Sequence, residues 1–246
     1  MTIIDPVNFD FYERLWSDAG HRHDYPNINT VRCEKWFFRP THSGGGRLLD
    51  FGHGCGQEAA YFARLGYRVC GVEISQNAHN LLLAQLQGPF ADVADRIELR
   101  LLSDKDDRLP FDDASFDYIS STQVVYHLPD EQALLTLVKE WHRILKPGGR
   151  LMFSTIGPGN SLVTAGRPLR QYEHLSVHEY VNPHRINNRY EVLRSLYIES
   201  EEAIRFLCRP FDIVEVGWYS NHYCGIDGFH WQVLAQKPIS GDANAV

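Results

Sequence analysis

From Arg47 onward the chain alternates between short unbroken apolar runs and stretches whose apolar residues return every three or four positions. The first pattern is that of a buried strand, the second that of an amphipathic helix. Ahead of Arg47, residues 8–19 place Phe9, Tyr12, Leu15 and Trp16 on one helical face. Asn29 or Thr30 is placed to cap a second short helix holding Trp36 and Phe37. The pattern then predicts a strand from Arg47 to Asp50, a helix from Gln57 to Leu65 stopped by Gly66, and a strand from Tyr67 to Val72. Ser75 caps a helix running to about Leu86, with Leu82, Leu83 and Leu86 toward the core, and Gly88-Pro89 breaks it. Ile97 to Leu101 and Phe116 to Ser121 read as strands, and Asp130 to Lys146 as a helix. That helix carries the core stripe Leu134, Leu137, Val138, Trp141, Ile144 and Leu145. Arg150 to Ile156 is a fifth strand. After a long insertion, about 157–200, a helix ends near Phe206 to Pro210. Asp212 to Tyr219 and Phe229 to Lys237 follow as antiparallel edge strands.

The densest chemistry lies where the first strand meets the first long helix. Asp50 ends the strand, Gly52, Gly54 and Gly56 follow at alternate positions, and Glu73 ends the next strand 23 positions after Asp50. Glycines there free backbone N–H groups at the positive end of a helix and let a ligand approach the backbone. An acid at the tip of the second strand can accept both hydroxyls of a ribose. The spacing is D-x-G-x-G-x-G, not the G-x-G-x-x-G of dinucleotide sites.

This stretch resembles motif I of the Rossmann-like (class I) S-adenosylmethionine (SAM)-dependent methyltransferases: Asp50, Gly52, Gly54, Gly56 and Glu73 fall where that motif has them. The run Arg143 to Gly149 also matches, and the resemblance covers roughly residues 45–157. It implies an α/β, doubly wound, seven-stranded, mainly parallel sheet with a reversed last strand. It also implies SAM as cofactor and a small-molecule acceptor. Carried over residue by residue, it puts Ile74 on the adenine ring and gives Asp104 the adenine amino group, with Lys105 or Asp106 as alternatives. Gln123 falls against the methionine part, and His127 stands where the family frequently has a histidine. A histidine suits a general base near neutral pH; hydrogen bonding to structure is the other reading of His127. Residues 1–46 resemble an N-terminal helical lid, with Tyr12 and Trp16 closing over SAM. Residues 47–156 form the SAM-binding core, 157–200 a substrate lid, 201–239 the end of the sheet, and 240–246 a tail.

Charge and composition narrow the partners. The net charge of −7 argues against a broad phosphate-backbone footprint, and no N-P-P-Y-type loop follows the fourth strand. A nucleic-acid partner is therefore not expected. There is no apolar run long enough to span a membrane, and the start of the chain does not read as a secretory signal. The five cysteines are scattered, which fits reduced thiols in a cytoplasm. HRHDYP, residues 21–26, reads as a solvated loop, and THSGGG, residues 41–46, as a flexible lead into the first strand. Between Asn160 and Arg194 the insertion holds five Arg against three Glu, which is +2, so the remainder carries −9. Arginines with tyrosines suit an anionic acceptor such as a carboxylate, phosphate or anionic sugar of a glycan. Arg167, Arg170, Tyr172, His174, His178 and Arg185 are the candidate acceptor contacts. His174 and His178 would share a helix face at i, i+4, but no third ligand is spaced with them and no metal is expected. Oxygen is expected as the methylated atom ahead of nitrogen. Two rival readings stand beside this one: a SAM-binding assembly protein without catalysis, and an NAD(P)-dependent oxidoreductase. Oligomeric state is not legible.

Overall fold

A computed structural model describes residues 4–17, 25–41, 45–103, 108–186, 189–223 and 226–239 of the protein. Asp104 and its alternatives Lys105 and Asp106 lie outside the described residues. So do residues 21–24, residues 42–44, Cys224, the tail 240–246 and the side chain of Arg185.

Helix α1 runs Pro6–Trp16. Asp5 caps it, accepting from Val7 N–H at 2.9 Å, and Pro6 takes the first turn, where a missing N–H costs nothing. Helix α2 (Ile28–Cys33) is capped by Asn27 rather than by Asn29 or Thr30, and continues as a π turn over Glu34–Phe38. The βα succession follows as β1 (Arg47–Phe51), α3 (Gln57–Arg64), β2 (Arg68–Glu73), α4 (Gln76–Leu86), β3 (Ile97–Leu101), β4 (Phe116–Ser121), α5 (Glu131–Ile144) and β5 (Leu145–Ile156). Next come α6 (Ser161–Thr164), β6 (Arg167–Gln171), β7 (Leu175–Ile186), β8 (Arg189–Ile198), α7 (Glu201–Leu207) and β9 (Asp212–Tyr219). A small ladder, β10 (His222–Tyr223) with β11 (Ile226–Asp227), precedes the last strand, β12 (His230–Gln236).

The main sheet has seven strands in the order β3-β2-β1-β4-β5-β12-β9. The first five are parallel, and β12 runs antiparallel to both β5 and β9. Hence β9 is an edge and β12 is interior, although its sequence reads as an edge strand. Alternate residues of β1 feed opposite cores. Leu49 and Phe51 join the α5 layer with Trp141, and Leu48 joins the α3 layer with Phe62. Burial on both faces is why these parallel strands read as unbroken apolar runs. On α4, Leu82 is buried but Leu83 is 42% exposed. Gln85 takes the inward place instead, because its Nε2 donates to the Cys55 carbonyl.

The insertion is a three-stranded antiparallel sheet, β6-β7-β8. His178 therefore lies on a strand, and the helical i, i+4 face imagined for His174 and His178 does not exist. Along β8 the sheet receives α1. Asn8, fully buried, accepts from Arg194 N–H at 2.9 Å and donates Nδ2–H to the Arg194 carbonyl at 2.6 Å, as a neighbouring strand would. Arg14 adds an ion pair to Glu191.

Candidate active site

Parallel order reverses between β1, which pairs β2 on one side and β4 on the other. Crevices beyond the strand tips at such a switch point are where open α/β sheets bind ligands. A cavity of about 380 Å³ lies there, within the size range of small-molecule sites. Its walls come from the β1–α3 loop, the β2 tip, the segment after β4, and α1.

Asp50, Gly52, Gly54, Glu73, Ile74, Gln123, Tyr12, Trp16 and His127 all line this cavity. Gly54, at φ +52°, faces the ring of Trp16, whose Cζ2 would stand 3.3 Å from a Cβ added there. Gly56 does not line the cavity. It sits at φ +89° against Leu82, where a side chain has no room, so its work is to start α3 close to α4.

Glu73 is held from three sides. Its Oε2 accepts from Gly54 N–H at 3.0 Å, and its Oε1 from the N–H groups of Ile74 at 2.8 Å and Ser75 at 3.1 Å. A carboxylate offers about four lone-pair sites, so one remains, on Oε2. The expectation that Glu73 takes both ribose hydroxyls is thus narrowed: without displacing a backbone amide, it has room for one.

Asp50 is buried, and its Oδ2 has no hydrogen-bond partner. Burial raises its pKa well above the usual carboxylate range, and the nearby charges of Glu58 and Glu73 raise it further. Glu58, also on the cavity wall, accepts from Asn27 N–H at 2.9 Å and is likewise raised by burial. Gln123 holds a left-handed φ of +59°, which non-glycine residues rarely adopt, and its N–H donates to Ser154 Oγ at 2.9 Å.

On the same cavity wall, Tyr12 Oη and His127 Nε2 are 2.7 Å apart. Burial alone pushes His127 down to about 3, so its ring is neutral. Its Nδ1 is enclosed without a partner, which leaves Nε2, and through it Tyr12, as its polar contact with the site. The His127 carbonyl accepts from Asp5 N–H at 3.2 Å and from Asn8 Nδ2 at 3.4 Å, tying α1 to the same loop.

The acceptor contacts expected on the insertion are elsewhere. Arg167 pairs with Glu179, and Arg170 is exposed on the edge strand β6. Tyr172 packs against the core, His174 lies against Phe206, and His178 is 3.0 Å from Ser176 Oγ. None of these five lines the cavity. Their positions follow from the strand pairing, which turns the arginines toward Glu179 and solvent. Sequence reasoning missed His53, Phe9, Asn27 and Glu58, all on the wall. Glu58 carried a usable signal, as an acid in the first turn after the glycine loop, where the helix end favours negative charge. Among the described residues no group of three His, Cys, Asp or Glu could hold a metal, and no helix is long and apolar enough to cross a membrane.

Comparison with known proteins agrees with this geometry. Residues 49–153 match the family model of a methyltransferase domain. The chain is 34% identical over 142 residues to methyltransferase GfsG of Streptomyces halstedii, covering 57% of this chain and 49% of that protein. It is 30% identical over 151 residues to the 27-O-demethylrifamycin SV methyltransferase of Amycolatopsis mediterranei, covering 58% and 53%. The chain thus spans about half the length of these curated relatives. A SAM-dependent methyltransferase structure from Methanosarcina mazei shares the fold, with a TM-score of 0.66 at 19% identity over 83% of this chain and 98% of that one. A motif, a sheet order and a family model thus coincide on one strand-tip cavity: residues 49–153 match a methyltransferase domain, on a fold shared with a SAM-dependent methyltransferase structure.

Proposed function

We propose that this chain transfers the methyl group of SAM to a hydroxyl of a small-molecule acceptor. The observation that carries the reading is one cavity lined both by the Asp50–Gly54–Glu73 cradle and by the neutral Tyr12–His127 pair.

The cradle fits the cofactor. Asp50 holds a buried carboxylate oxygen with no donor, which suits a cationic ligand. Gly52 and Gly54 leave the loop backbone bare, and Glu73 keeps a lone pair for a sugar hydroxyl. Ile74 would pack on the adenine, and Gln123 would meet the methionine part. Bound there, SAM supplies an electrophilic methyl group on a sulfonium, for in-line displacement.

The protein's own residues align the acceptor and exclude water. Trp16 and Tyr12 cover the cavity from α1. Tyr12 Oη can accept the acceptor's hydroxyl proton while passing its own to His127 Nε2. A standing base with a pKa of about 3 is weak. It suffices late in the reaction, when the acceptor oxygen turns positive and its proton becomes strongly acidic. The relative from Amycolatopsis mediterranei is named for a 27-O-demethyl substrate, which supports oxygen over nitrogen.

The test is twofold. Calorimetry with S-adenosylhomocysteine should show binding, and labelled-methyl transfer onto a metabolite extract should label a small molecule at oxygen. Binding with no transfer to any acceptor would leave a SAM-binding protein without catalysis. No binding would remove the reading.

A further inference from the structure

Beside the cradle, the cavity is lined by Ile4, Phe9 and Tyr12 on the α1 side and by Val124, Tyr126 and His127 after β4. These residues offer hydrocarbon, two phenols and one imidazole. No Lys or Arg lines the cavity among the described residues. The acidic groups on its wall are Asp50, Glu58 and Glu73, and burial favours the neutral form of the first two. Two arginines of the insertion and one of α1 are committed to other acids, and Arg170 of the insertion is exposed on β6. Arg167 and Arg194 both pair with Glu179, Arg194 also reaches Asp5, and Arg14 pairs with Glu191.

We infer that the acceptor is an uncharged hydroxyl compound with an apolar, ring-bearing body, and that the cavity rejects its anionic analogues. The inference rests on the methyltransferase reading and names the substrate class of the same site. A buried anion needs a paired cation or several donors, and loses its hydration if it finds neither. Here it would meet two phenols and a neutral imidazole, and no lysine or arginine among the described residues. Burial also keeps Tyr12, Tyr126 and His127 in their neutral forms, so the protein does not supply the missing cation by protonation near neutral pH. A neutral ring, by contrast, gains the apolar contact of Phe9, Tyr126 and Ile4 and can give its one hydroxyl proton to Tyr12.

The experiment uses the full chain saturated with S-adenosylhomocysteine. Binding is then measured for matched pairs of phenols: methyl 4-hydroxybenzoate against 4-hydroxybenzoate, and a methyl hydroxynaphthoate against the hydroxynaphthoate. The esters should bind on the order of tenfold tighter or more, the scale of an uncompensated buried charge. Equal or tighter binding of the acids overturns the inference, as does failure of both members of every pair to bind the loaded protein. If the chain does not take up S-adenosylhomocysteine at all, it is the underlying methyltransferase reading that fails. In a second arm, Phe9→Arg puts a cation on the neutral wall. With S-adenosylhomocysteine still bound, the ester preference should shrink on the order of tenfold or reverse, and an unchanged preference counts against the inference.

Discussion

Glu73 gives three of its four lone-pair positions to the N–H groups of Gly54, Ile74 and Ser75. It therefore shapes the glycine loop as well as meeting the ligand. Glu73→Ala should weaken S-adenosylhomocysteine binding by roughly 1–3 kcal/mol, the range for hydrogen bonds to charged groups. Glu73→Gln, which keeps an acceptor oxygen, should lose less. Calorimetry decides, and an unchanged dissociation constant for the alanine variant removes Glu73 from the ribose. Asp50 calls for a pH experiment. Its raised pKa means the carboxyl becomes neutral on acidification sooner than an ordinary aspartate does. A cationic ligand wants it ionised, so affinity should fall on acidification, and at a higher pH than an ordinary aspartate would give. In Asp50→Asn that slope should flatten, and an equal slope in both proteins would assign the pH dependence to another group. For the Tyr12–His127 pair, Tyr12→Phe should lower kcat on the order of tenfold to a hundredfold while leaving cofactor affinity nearly unchanged. A loss confined to affinity would make Tyr12 part of the cover alone.

Helix α1 presents Tyr12 and Trp16 to the cavity, and the insertion helps to hold it in place. Asn8 caps the peptide edge of β8 through two hydrogen bonds to Arg194. Removing that amide strands a buried N–H and C=O, at a cost of about 1–3 kcal/mol. Asn8→Ala should speed hydrogen exchange in α1 and weaken cofactor binding, while exchange in α5 stays as it was. Equal acceleration in both helices would mean a global loss instead. The elements themselves were unequally legible. Trp141 and its stripe announced α5, and Phe116 to Ser121 announced β4 to the residue, because local apolar spacing decides both. The β6-β7-β8 sheet left no such mark. Its Arg, His and Tyr residues read as ligand contacts because strand pairing, a long-range property, is what joins Arg167 and Arg194 to Glu179. In the site, Asp50, Gly54 and Glu73 were legible from spacing alone. Phe9 was not, since an aromatic on a wall and one in a core look alike in sequence.

At the scale of the whole molecule, burial and titration pull in one direction over mildly acid pH. His53, His127, His142, His178 and His230 are all pushed below the ordinary histidine value, in each case first by burial. For each, the unfolded chain takes up a proton that the folded chain refuses. Their neutral forms stabilise the fold fully above about pH 6.5, and that contribution drains away as pH falls toward the folded values. Asp50 and Glu58 act in the opposite sense. Their pKa values are raised in the fold, so their contribution is present at low pH and lost as pH rises. Five imidazoles against two carboxyls predict a net loss of stability from about pH 7.5 to about pH 5.5. Urea unfolding across that range should show the midpoint falling. His127 carries the largest part that can be isolated, because its value of about 3 lies far from that of the unfolded chain. In His127→Phe the ring stays apolar and the proton uptake disappears, so the midpoint should fall less steeply than in the parent protein. Parallel midpoint curves for the two would mean that His127 takes up its proton in the fold as readily as in the unfolded chain, and that the wall beside Tyr12 is open to water.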